Sequence, residues 1–94
     1  MAETVDEITI DYEEEGKLTT KQLDKAVLTK GAWTTIIFKF QTWDNKKQDY
    51  SPDKYTIRRY QKRDGQYMPK SKFNISSKDQ AIKIIAALQK WTAE

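Results

Sequence analysis

Apolar and polar residues alternate with a period of two through most of this chain, and a period near 3.6 emerges only in its last fifteen or so residues. That order predicts an α+β domain, an antiparallel sheet followed by one C-terminal helix. The strongest strand runs from Trp33 to Trp43, rich in the Thr, Ile, Phe and Trp that fit a pleated surface. Thr34, Ile36, Phe38, Phe40 and Thr42 share one face, the core candidate. Trp33, Thr35, Ile37, Lys39, Gln41 and Trp43 share the other, where rings mix with a cation and an amide, as on a wet ligand surface or a subunit edge.

A strand is expected before it at Lys25–Lys30, ended by Gly31, where positive φ is easily made. Thr19 to Asp24 is polar and carries no clear period. Asp44 to Asp53 reads as a polar connection, since Pro52 cannot join a central ladder. Two further strands, Lys54–Lys62 and Gln66–Ile75, flank Asp64-Gly65, a strong two-residue hairpin signal. Pro69 interrupts the returning strand and predicts an edge position or a bulge there. Ile8, Ile10 and Tyr12 alternate with polar residues and suit one more short strand.

The helix start is written in Ser77 followed three residues later by Gln80, a capping box, with Asp79 in the first turn. Ala81, Ile84, Ile85, Leu88 and Trp91 follow helical spacing, and Ile82 widens the stripe beyond what one sheet contact needs. Ile82, Ile85, Leu88 and Trp91 are therefore the expected homodimer interface. The alternative is a helix lying deeper in its own subunit's core.

Composition narrows the chemistry. The 94 residues make one domain and contain neither cysteine nor histidine, which removes disulfides, thiolate metal sites and the commonest general base. No enzyme activity, cofactor or metal is expected; loop acids such as Asp44, Asp49, Asp53 and Asp64 are the remaining candidates for a cation, and solvated turn positions are the commoner use of such residues. No run is long enough to span a membrane and the N-terminus is acidic, so a cytoplasmic protein is expected.

The chain holds 17 Lys and Arg against 14 Asp and Glu, but seven of those acids lie within the first fifteen residues, where there is no base. Residues 1–16 thus read as an acidic segment, in part disordered, and residues 17–94 as a strongly basic domain suited to a polyanion. The acidic segment is either a solubilising tail or an occupant of the basic face when no ligand is there.

Between Lys54 and Lys72 seven bases stand against the single acid Asp64, interleaved with Tyr55, Tyr60 and Tyr67. Cations neutralise phosphates and flat rings stack on unpaired bases, the two needs of single-strand binding without strict sequence reading. The plain alternative is ordinary strand residues under a solvated charged face.

Several strings resemble the positive cofactor four family of single-stranded-DNA-binding transcriptional coactivators, particularly its small bacterial members. They are Lys54-Tyr55-Thr56-Ile57-Arg58-Arg59-Tyr60, Asp64-Gly65 with Pro69 after it, and Lys72-Phe73-Asn74-Ile75-Ser76, with Gly31-Ala32-Trp33 and Phe40-Gln41-Thr42-Trp43-Asp44-Asn45 upstream. The similarity spans roughly residues 23 to 91. It departs from the family where Lys70 and Ser71 replace glycines around the basic residue after the hairpin, in a stretch one residue shorter.

The resemblance implies a curved four-stranded antiparallel sheet, a dimer formed through the C-terminal helix, and single strands laid across the sheet faces. On that basis Lys39, Arg58, Arg59, Lys62, Arg63, Lys70 and Lys72 are expected on phosphates, and Trp33, Trp43, Tyr55, Tyr60 and Tyr67 are the candidate stacking rings. Which rings face the ligand depends on register, because a slip of one residue exchanges the two faces. The function expected is sequence-tolerant binding of single-stranded DNA, with RNA as a second possible strand, in transcription regulation, replication or repair near the nucleoid. The alternative is an interaction module for an acidic protein partner.

Overall fold

Thr34, Ile36, Phe38 and Phe40 are all buried while the residues between them are not, so the Trp33–Asp44 strand is the one around which the sheet is organised. A computed structural model describes residues 3–93. In chain order it has a short 3-10 helix (Val5–Glu7), β1 (Tyr12–Glu14), β2 (Lys17–Thr29), β3 (Trp33–Asp44), β4 (Asp49–Tyr50), β5 (Lys54–Arg63), β6 (Gln66–Ile75) and α1 (Lys78–Thr92). The strands form a curled antiparallel sheet in the order β1-β2-β3-β5-β6, with β4 paired to the end of β3.

The expected four strands are therefore too few. β2 begins eight residues earlier than Lys25, because the polar run Thr19–Gln22 is half-buried against its neighbours and not solvated. β1 is added by the acidic run, folded back on β2 through Glu15 and Gly16, whose φ angles of 51° and 79° are those of a tight hairpin turn. Inside the polar connection Asp49 and Tyr50 pair with Asp44 and Trp43.

Other local expectations hold. Asp64 and Gly65 both have positive φ, 51° and 78°, and close the β5–β6 hairpin. The register of that hairpin shifts between Arg59, opposite Ser71, and Tyr60, opposite Pro69, so Lys70 is the extra residue of a bulge beside the proline. At the helix start the Gln80 backbone N–H donates to Ser77 Oγ at 3.1 Å, and Gln80 Oε1 accepts from the Ser76 backbone N–H at 3.0 Å.

The main core cluster is on one face of the sheet, and its lid is the N-terminal segment; Ile75, 3 % exposed, is buried on the other face. Ile8 and Ile10, 4 and 7 % exposed, pack with Ile36, Phe38, Phe40, Tyr60 and Tyr67, and Val5 and Val27 flank them. Polar contacts fix this strap. The Lys25 ammonium donates to the carbonyl oxygens of Val5, Asp6 and Ile8 at 2.9, 3.1 and 2.9 Å, neutralising the end of the short helix. Gln22 Oε1 accepts from the Ile10 N–H and the Thr9 hydroxyl, and Asp11 accepts from the Gln22 N–H. The described part of the acidic segment is thus packed on the domain that begins, by composition, at residue 17; Met1, Ala2 and Glu94 lie outside the described residues.

By contrast α1 touches only β6 to any extent, and no helix residue is buried. The Cα radius of gyration is 15.0 Å, against about 12 Å for a compact chain of this length. With a smallest dimension of 17 Å the molecule is flat.

Replacing Ile8 by Ala removes a buried side chain from the lid of the core. It is expected to destabilise the fold by about 2–5 kcal/mol, read as a lowered urea midpoint; an unchanged midpoint would mean that the segment is a free tail.

Candidate nucleic-acid interface

The register divides the expected binding residues between two faces. Pairing of β3 with β5 places Thr34 beside Tyr60, Ile36 beside Arg58 and Phe38 beside Thr56, all on the face under the strap. Across β5 and β6 the same face carries Arg58 with Lys72, Tyr60 with Pro69, and Lys62 with Tyr67. The opposite, open face has four rows across β3, β5 and β6. These are Trp33–Gln61–Met68, Thr35–Arg59–Ser71, Ile37–Ile57–Phe73 and Lys39–Tyr55–Ile75. Arg63 continues the open face beyond the first row.

Tyr60 and Tyr67, expected as stacking rings, belong to the strap-face core at 6 and 8 % exposure and are closed to a base. Burial pushes the Tyr60 phenol above its usual pKa, against the opposing pull of the neighbouring Arg58 guanidinium. Lys62 lies 5.5 Å from the centre of the Tyr67 ring, at the rim of this face.

Trp33 and Arg59 meet on the open face. The Arg59 guanidinium sits 4.7 Å from the centre of the Trp33 ring, and Trp33 is 42 % exposed. Among the described residues no carboxylate lies within ion-pair distance of Arg59 or Arg63. A cation without a carboxylate partner, stacked on an exposed indole, offers a phosphate charge and a base a flat surface within one side-chain length. Thr35, already on this face by strand alternation, lines the same two rows with Gln61, Met68 and Ser71, which only cross-strand register identifies.

Lys39 and Tyr55 form the far row of the open face, where Lys39 is 3.5 Å from Asp53 and so partly neutralised. Asp53 also accepts from Gln41, and Asp44 accepts from the Lys46 and Lys47 N–H groups in its turn. The loop acids are thus used in holding loops, and no cluster of three or more metal-ligating side chains occurs among the described residues. Trp43, ten residues along β3 from Trp33, is about 33 Å away at strand rise. It packs edge-on against Tyr50 at 5.1 Å, with the Lys17 ammonium 3.5 Å from its ring centre and Lys21 near Tyr50. Trp33 and Trp43 cannot hold neighbouring bases.

Arg58, Lys70 and Lys72 gather at the β6 edge on the strap side, lining a recess with Pro69 and Ser71. The Arg58 Nε is buried and has no hydrogen-bond partner among the described residues.

The four expected interface residues of the helix, Ile82, Ile85, Leu88 and Trp91, are 52, 60, 53 and 66 % exposed. Phe73, in the apolar third row of the open face, is 55 % exposed as well. No helix among the described residues is long and apolar enough to cross a membrane. No protein-family model matches the chain, and no curated protein or solved structure matches it either.

Proposed function

We propose that this chain binds single-stranded nucleic acid, DNA foremost, as a homodimer of the positive cofactor four type, acting in transcription regulation, replication or repair in the cytoplasm. The observation that carries the reading is the Trp33–Arg59 stack, exposed on the face that the acidic strap leaves free. The rows around it supply hydrogen-bonding side chains in Gln61, Thr35 and Ser71, and Arg63 adds a further cation at the hairpin end. Such a surface holds a strand by charge and stacking and needs no catalytic group.

The dimer rests on different observations. A helix that buries none of its residues, and presents four large apolar side chains at more than half exposure, leaves unsatisfied the surface that normally stabilises a small domain. A second copy covers it with the same stripe about a two-fold axis, and the flat shape of the single subunit fits a half-core awaiting its other half.

Single strands are expected to bind more tightly than a duplex of the same sequence, because only unpaired bases offer a face to Trp33. Trp33 fluorescence titrations at two salt concentrations measure this, and equal or tighter duplex binding would reduce the site to a merely basic surface.

Within the site, Arg59→Ala should lower the salt slope by about 0.7 for the lost phosphate contact. Trp33→Ala should cost about 1–3 kcal/mol with the slope unchanged. Phe38→Leu, a change inside the core, should leave both untouched in the folded variant. If the Trp33 and Arg59 variants bind as well as the parent, an acidic protein becomes the better partner.

Leu88→Asp places a charge in the helix stripe and should give monomers by sedimentation velocity at micromolar concentration. A monomeric parent protein under the same conditions rules out the dimer.

A further inference from the structure

Arg58 occupies an unusual position for a strand cation. Its alternation places it on the core face, between Ile36 on β3 and Lys72 on β6, yet its buried Nε has no acceptor among the described residues. A buried N–H left unpaired is costly, and its usual completion is an ordered water or an anion. Two recesses meet at this residue. One, of about 490 Å³, lies between the strap, at Glu7, and Tyr67; the other, of about 240 Å³, runs along the bulge at Lys70 to Lys72. Arg58 and Pro69 line both, so the two recesses adjoin, one on the strap side of Arg58 and the other toward the outer edge of the sheet.

The chemistry of the two recesses is that of an oxyanion site. Arg58 and Lys72 are directly opposed on one face, Lys70 is thrown out beside them by the bulge, and none of the three has a carboxylate within ion-pair distance among the described residues. The single acid in the lining is Glu7, on the strap wall, where its Oε1 accepts from the Thr4 hydroxyl. An anion is therefore drawn to the β6 side and repelled from the strap side.

We propose that this pair of recesses seats a phosphate of the bound strand, which rounds the β6 edge from the open face and places an oxyanion against the Arg58 Nε. The proposal rests on the single-strand reading above and adds a path to it. Only the last strand of the sheet, β6, separates the Arg59–Ser71 row on the open face from Arg58 and Lys72 beneath, and neighbouring strands are about 4.8 Å apart. Glu7 then marks the end of the path. Its carboxylate turns the strand away from the strap, which holds the core closed.

The test uses the full chain labelled with 15N, following the Trp33 indole N–H and the Arg58 Nε–H, the latter assigned by its loss in Arg58→Lys. A long homothymidine strand should shift both signals. A thymidine dinucleotide should shift only Trp33, and inorganic phosphate at the same phosphate concentration should shift neither. Glu7→Gln, which keeps an acceptor for Thr4, should tighten binding of the long strand about two- to fivefold at low salt.

Movement of Trp33 with Arg58 stationary would overturn the proposal while leaving single-strand binding intact, since the strand would then stay on the open face. If neither signal moves, the binding reading fails and the proposal with it. An Arg58 response to inorganic phosphate or to the dinucleotide as large as that to the long strand would also overturn it, by showing an isolated anion site.

Discussion

A single-layered sheet must have at least one face covered, and in this protein the cover is six residues of an acidic segment. Ile8 and Ile10 each contribute about 1.5–3 kcal/mol of apolar burial, and without them Ile36 and Phe38, now fully buried, would face water. Placing an extended segment across a sheet creates a difficulty, because its carbonyl groups need partners that the sheet interior does not provide. Lys25 resolves it. Its ammonium accounts for three carbonyl oxygens at once, while Gln22 takes the N–H of Ile10. The contact between head and body is thus made chiefly through backbone carbonyls and neutral side chains, and among the described residues no carboxylate of the head lies within ion-pair distance of a Lys or Arg.

Much else follows from that cover. Because it lies on the face carrying Tyr60 and Tyr67, these rings become core, while Trp33, stacked under Arg59, stays exposed on the other face. The interleaving of rings and cations in β5 thus has two meanings at alternate positions. Arg59 lies on the open face against Trp33, whereas Arg58 lies partly buried next to the phenol of Tyr60, itself pushed up by burial.

The sequence made the elements legible where the signals are local. The Asp64-Gly65 turn needs positive φ at both positions, the Ser77 cap needs a hydroxyl ahead of an N–H, and Pro69 cannot complete a ladder; each shows in the residues themselves. What was hidden depends on non-local partners. The half-burial of Thr19–Gln22 comes from the length of β2, Lys25 gains its role from a segment about twenty residues away, and Glu15-Gly16 is a weaker hairpin signal than Asp64-Gly65. The site was half legible for the same reason. The interleaving of charges and rings, with the family resemblance, points to the twelve expected residues, but only pairing register sorts Trp33, Arg59 and Arg63 from Arg58, Tyr60 and Tyr67.

The open face is itself divided between a polar end and an apolar row. At the hairpin end its rows carry an indole, a guanidinium and amide or hydroxyl groups, all of which keep favourable contacts with water when no ligand is bound. The next row, Ile37–Ile57–Phe73, has no polar side chain, and Phe73 stands on β6, the strand that α1 contacts. Apolar surface lowers its free energy by meeting apolar surface, so this row belongs with the exposed helix stripe and not with a hydrated strand of nucleic acid. A dimer formed there leaves the Trp33–Arg59 end free on each subunit, and two such ends related by a two-fold axis would let one strand gain from both attachments, the second made at the raised effective concentration that the first creates.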